Sequence, residues 1–308
     1  MNQNQVRGVI QKIIVAVYEY CKANNIRSLV IGESGGVDSA VCTALAARVR
    51  SYAKQRKYNL AVITAILPCE STKASRRLAK KVIKQYKTEK VELDLTKVYK
   101  IIAKSWLKSL DKALAKILKK ADDAPKKKSW KKAKRVAQGN IKARLRMIVL
   151  YHIARMTNGM VIGTGNLSEW WMGFTTLHGD CGDFYPILQL MKGTEVYELA
   201  KWLKVPKEII DAKPDDGLGV TTGGDEAKLG APYRHIDLMM QGLIQNGLDI
   251  NGSLSQLTAE MVVMGGFTSE LVEMIGSRCL RNAYKRRGQV VLSRTQLGLP
   301  EFTASKKK

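Results

Sequence analysis

The chain has 308 residues, enough to bury a large core in one elaborate domain, and at 45% hydrophobic and 26% charged it has the balance of a globular protein. No apolar run reaches the ~20 residues of a membrane-spanning helix. The five scattered cysteines, without a CxxC pair, give neither a disulfide framework nor a zinc site and predict a reducing, cytoplasmic setting. The formal charge of +25 would attract polyanions whether or not that is its task, so it bears on association and leaves the fold open.

In chain order, "MNQNQVRGVIQKIIVAVYEYCK" predicts an amphipathic first helix, because Glu19 interrupts its apolar pattern and no small-residue cleavage signal follows. Strand-like "IRSLVIG" leads into a helix over 38–56. "LAVITAIL" (60–67) is a buried strand, followed by a Lys/Arg-rich amphipathic helix over 72–87. "KVELDL" (90–95) is a third strand, then helices are expected over 97–120 and 138–157, and "GMVIGT" is a fourth strand. Strands alternating with helices of this length predict an α/β fold with a doubly wound parallel sheet, whose ligands gather beyond the carboxyl ends of the strands.

Residues 119–137 combine a proline with a dense lysine run and predict an exposed, mobile insertion within a single domain spanning 1–308. After residue 193 the pattern turns helical, through "GTEVYELAKWLKV", "YRHIDLMMQGLI" and 254–287. Between them, "KPDDGLGVTTGGDE" (213–226) holds four glycines and no apolar period, the mark of a lid loop. The tail at 303–308 is expected to be disordered.

Two strand ends carry the chemistry. In "GESGGVDS", Gly35 and Gly36 let the backbone approach an anion, and the start of the following helix is electropositive. Ser34 and Ser39 add hydroxyls. Asp38 is repelled by phosphate unless a divalent cation lies between them. "GTGNLSEWWMGFTTLHGDCGDFYPILQLMKGTEVYELAKWL" places Thr164, Glu169, Asp180, Asp183 and Lys192 beyond the fourth strand. Glu169 and Asp38 are candidate Mg²⁺ ligands, and Lys192 can neutralise developing phosphate charge. In "QGNIKARLRMIVLYHIA", Arg144 and Tyr151 lie two turns apart on roughly one helix face, where arginine suits phosphate and tyrosine suits a base.

"SGGVDS" resembles the pyrophosphate loop of the ATP pyrophosphatases, whose adenine nucleotide alpha hydrolase-like fold cleaves ATP between the α and β phosphates. "GNIKARLRM", "GTGNLSE", "GD…D…P", "KGTEVYELAKWL" and "DEAKLG…Y…ID" follow in the order of ammonia-dependent NAD synthetase. That resemblance implies ATP contacts at Gly32, Glu33, Ser34, Gly35, Gly36, Val37, Asp38, Ser39, Thr164, Lys192 and Asp215. It implies Mg²⁺ at Asp38 and Glu169, with ATP as co-substrate, and deamido-NAD contacts at Arg144, Tyr151, Asp183, Tyr284 and Lys285. Asp180 falls near the family's ammonia site, and Asp180, Asp38 and Lys192 are the catalytic candidates. Leu177 stands where a substrate-binding lysine is expected, Asp215 where a Ser or Thr is, and Tyr284 where a His is.

The implied activity is amidation of deamido-NAD through an adenylated carboxylate, in a homodimer. The chain leaves no space for a glutamine-hydrolysing domain, so free ammonia, or ammonia from a separate subunit, is the expected nitrogen donor. Two alternatives would use the positive charge: a tRNA-modifying relative that adenylates a base, and a non-catalytic nucleic-acid-binding relative. Nucleic acid is possible but not the expected substrate; thiolating members of the tRNA-modifying class rely on reactive cysteine pairs, and none is evident here.

Overall fold

The computed structural model describes residues 1–119, 127–215, 224–288 and 295–296. Helix α1 (Gln3–Ala23) starts at a capping box in which the Asn2 and Gln5 side chains satisfy each other's backbone N–H groups. Strand β1 (Ser28–Gly32) passes through the glycine turn into α2 (Val37–Gln55). Then follow β2 (Ala61–Ile66), α3 (Lys73–Tyr86, capped by Thr72) and β3 (Glu89–Glu92). Helices α4 (Thr96–Ile102) and α5 (Lys108–Lys119) are joined by a wide, π-type turn. Helix α6 (Lys127–Met156) leads to β4 (Gly159–Val161).

The sheet is parallel with order β3-β2-β1-β4, Ser28 lying opposite both Ala61 and Gly159. Alternation along β1 divides the core. Leu29 and Ile31 face a cluster built with α1 and α2, while Val30 faces one built with Leu95, Met147 and Leu150. Helices therefore cover both faces, as the alternating pattern requires.

The second half is helical: α7 (Leu167–Met172), a wide turn at Lys192–Val196 into α8 (Tyr197–Trp202), α9 (Lys207–Ile210), α10 (Gly224–Leu229), α11 (Tyr233–Gln245) and α12 (Ser269–Arg281). Trp171, Met172, Leu229, Tyr233, Ile236 and Ile275 form a separate core there. Among the described residues no helix is long and apolar enough to cross a membrane.

Three expectations need correction. The helix expected from residue 138 begins at Lys127, so residues 127–137 of the lysine-rich segment are helical; residues 131–137 are exposed, as expected. Lysine, alanine, arginine and glutamine are good helix formers, and a missing apolar period removes the buried face without removing the helix. The helix expected over 254–287 is broken: residues 257–268 are largely turns, and Gly266 takes φ +84°. The third strand ends at Glu92. Residues 120–126 of the insertion, 216–223 of the expected lid and the tail at 303–308 lie outside the described residues.

Candidate active site

The glycine turn is built from below. Gly35 has φ +84°, and a Cβ there would lie 2.4 Å from the Ser75 carbonyl oxygen, so only glycine fits. Gly36 caps α2 without a side-chain bond, which leaves the first N–H groups of α2 to an incoming acceptor. Ser34 and Ser39 hydroxyls stand 3.1 Å apart above the turn.

Glu33 is 3% exposed and turns inward. Its Oε1 accepts from the Gly35 N–H (2.9 Å) and the Ser39 hydroxyl (2.6 Å), and its Oε2 accepts from Thr43 (2.9 Å). Burial pushes its carboxyl up to about 7, against the pull of those three donors. The Glu33 side chain thus braces the loop from within.

Asp38 lies in the first turn of α2, Glu169 in the first turn of α7 and Lys192 at the head of the wide turn before α8. These three, far apart in sequence, converge. Lys192 Nζ is 2.9 Å from Asp38 Oδ2 and 3.4 Å from Glu169 Oε1, and the lysine is only 3% exposed. Burial favours the neutral amine, but the Asp38 and Glu169 carboxylates outweigh it and hold the ammonium charged. Burial also raises the Glu169 carboxyl, with Lys192 opposing and Asp38 reinforcing the shift.

Two carboxylates against one ammonium leave an excess negative charge in a nearly dry place, and hard oxygen donors of this kind suit Mg²⁺. Among the described residues no group of three or more His, Cys, Asp or Glu is arranged for a metal, so a divalent ion here would draw its remaining ligands from nucleotide phosphate and water.

Several supports escaped the sequence reading. Asn166 Oδ1 accepts from the Glu169 N–H (3.0 Å) while its Nδ2 donates to Asp38 (3.0 Å), joining the two acids through one amide. The Asn-x-x-Glu spacing in "NLSE" was a readable capping-box signal. Asp237 on α11 accepts from Ser168 (2.5 Å) and from the Gly193 N–H (2.9 Å), and Ser168 accepts from the Lys192 N–H (2.8 Å). Burial lifts the Asp237 carboxyl to about 6. Nothing local in "YRHID" announces this role, because its partners lie on other elements.

The expected dinucleotide contacts sit nearer the surface. Tyr151, 38% exposed, donates to Asp183 Oδ1 (3.2 Å), and Asp183 Oδ2 accepts from the Val161 N–H (2.8 Å), so this predicted pair does meet. Arg144 donates from Nε to the Leu177 carbonyl (3.1 Å), beside the position that lacks the expected lysine. Asp180 is exposed and accepts from the Thr176 N–H (2.6 Å). Thr164 follows β4, half-buried.

Tyr284 is 58% exposed, but Lys285 donates to the Gly173 (2.7 Å) and Thr175 (2.8 Å) carbonyls. These bonds tie Lys285 to the 173–175 segment. Asp215 lies 3.7 Å from the Lys228 ammonium at the border of the described residues.

Known proteins resemble this chain over most of its length. The family described as NAD synthase matches residues 9–289. An NH(3)-dependent NAD(+) synthetase of Pyrococcus furiosus is 30% identical over 90% of this chain and 92% of its own. One of Syntrophomonas wolfei is 33% identical over 68% of this chain and 74% of its own. Among solved structures, NMN synthetase from Francisella tularensis superposes with a TM-score of 0.70 at 27% identity, covering 94% of this chain and 98% of that one. NH3-dependent NAD synthetase from Campylobacter jejuni gives 0.63 at 25% identity, covering 95% and 100%. With the glycine turn, the two acids and the buried lysine in place, the chain belongs to the NAD synthase family.

Proposed function

We propose that this chain amidates deamido-NAD to NAD with ATP and ammonia, releasing AMP and pyrophosphate. The observation that carries the reading is the convergence of Asp38, Glu169 and Lys192 beside the glycine turn. A carboxylate resists amide formation because oxide is a poor leaving group, and adenylation removes that obstacle. The nicotinate oxygen attacks the α phosphorus, the bond to the β phosphate breaks, and pyrophosphate departs toward the open N–H groups of α2 and the Ser34 and Ser39 hydroxyls. Lys192 offsets the charge that develops there.

Mg²⁺ held by Asp38 and Glu169 would supply Lewis-acid stabilisation of the phosphates. Exposed Asp180 binds ammonium and takes one proton from it; the ammonia so formed attacks the adenylated carbon, AMP leaves, and the new C–N nitrogen releases a second proton to water. Tyr151, Asp183 and Arg144 receive the dinucleotide.

The relatives named above are NAD synthetases, which favours amidation over the RNA-directed alternatives. A cytoplasmic setting is consistent with five free cysteines. A homodimer is proposed because large apolar residues stand exposed on neighbouring helices, among them Ile101 (65%), Trp106 (69%), Ile148 (66%) and Met156 (72%). Light scattering checks this, a monomer at micromolar concentration being the contrary result.

The decisive assay incubates the purified chain with ATP, Mg²⁺, ammonium and deamido-NAD and identifies the products. Equal yields of NAD, AMP and pyrophosphate are expected, and ADP in place of AMP would sink the reading. Because the Francisella neighbour is named an NMN synthetase, nicotinate mononucleotide is the control substrate. Glutamine in place of ammonium should yield no NAD unless a separate subunit supplies ammonia.

A further inference from the structure

Tyr233 opens α11 immediately after Pro232, and its backbone N–H is held by Glu226 Oε1 (3.0 Å). Its side chain packs with Trp171, Met172 and Leu229 and is only 2% exposed. The Lys192 ammonium stands 4.4 Å from the centre of its ring, the geometry of a cation–π contact. Its hydroxyl is buried and, among the described residues, has no hydrogen-bond partner. Buried phenols nearly always have one, because an unpaired hydroxyl loses its water and gains nothing.

The orphan donor belongs to a ring that touches the Asp38–Glu169–Lys192 cluster through the lysine. Burial, then the Glu169 carboxylate, push the phenol far above its ordinary range, with Asp225 and Asp38 adding to the effect and Lys192 opposing it. The group is therefore a permanent donor and never a base. A donor already stripped of water gains the whole hydrogen bond when an acceptor arrives. The acceptors that the proposed reaction brings to Lys192 are phosphate oxygens.

We infer that the Tyr233 hydroxyl binds a phosphate oxygen of the nucleotide beside Lys192, while its ring seats that lysine between the two acids. The inference rests on the proposed use of ATP at this site.

Tyr233→Phe tests it, since it keeps the ring and deletes only the donor. Titration calorimetry with α,β-methylene-ATP and Mg²⁺ is run on both proteins, together with thermal unfolding without nucleotide. The expected result is about tenfold weaker nucleotide binding with a nucleotide-free Tm equal to or above that of the wild type. Unchanged affinity overturns the inference. So does a lowered nucleotide-free Tm, which would show that the hydroxyl serves the folded chain itself. If the wild-type protein fails to bind the analogue, the proposed use of ATP falls and this inference with it. If the wild type binds and Tyr233→Phe binds equally, the tyrosine inference alone falls.

Discussion

The proposed phosphate end and the proposed dinucleotide end of the site are built differently. At the phosphate end Asp38, Asn166, Glu169 and Lys192 are each held by other members of the cluster, Glu33 is held by Ser39 and Thr43, and Lys192 and Asn166 are almost fully buried. At the other end Tyr151, Asp183, Asp180 and Tyr284 lie at the surface. Charge stabilisation gains most from dipoles and ions fixed in advance in a dry place, and an enclosed network supplies them. Recognition of a large substrate needs open area, which the exposed end supplies. Damage to the first region should therefore lower kcat, and damage to the second should raise KM.

The largest effect is expected for Lys192→Met, which leaves two half-buried acids without their cation. ATP–pyrophosphate exchange should fall by about 10²–10³, and denaturant unfolding should show a loss of about 3–5 kcal/mol. Exchange near the wild-type rate would break the contrast at its strongest point. Glu169→Gln should cost about 10² in the same exchange assay with the cation–acid pair at Asp38 intact; a change confined to KM would move Glu169 to the recognition region.

Asp183→Asn and Tyr151→Phe should raise KM for deamido-NAD by about tenfold and leave kcat nearly unchanged, the signature of lost uniform binding. A matching fall in kcat would erase the distinction between the two ends.

Glu33 sharpens the comparison through pH. Its folded carboxyl is raised from 4.5 to about 7, so between those values the folded chain binds more protons than the unfolded one. The resulting contribution is complete below pH 4.5 and is lost as pH rises through 7, amounting to about 3 kcal/mol at most. Glu33→Gln should flatten that part of the stability–pH curve, and an unaltered slope would exclude Glu33 as its origin. The smallest effect belongs to exposed Lys131 and Lys132: changing both to Gln should shift stability by less than about 0.5 kcal/mol, with turnover unaltered by product assay.

Legibility in the sequence followed how local each signal was. The β1 turn, Asp38, Glu169 and Lys192 stand within contiguous strings whose residue types already imply phosphate and cation chemistry. The parallel sheet followed from alternation. The inward turn of Glu33 was not legible, because an acid next to a glycine turn gives no sign of which way it points; the Gly35 N–H together with Ser39 and Thr43 on the folded α2 draws it inward. Asp237 and Tyr233 act across elements that a linear reading never juxtaposes. The lysine-rich helix was missed because its polar composition was equated with irregularity, although helix propensity there is high.

The bonds from Asp237 to Ser168 and Gly193 also set a timetable. The anion cradle, the acids, the lysine and their last anchor come from four widely spaced stretches. During synthesis, a nascent chain that has not yet delivered α11 lacks the clasp on the lysine-bearing turn. The complete constellation is therefore a property only of the nearly finished polypeptide.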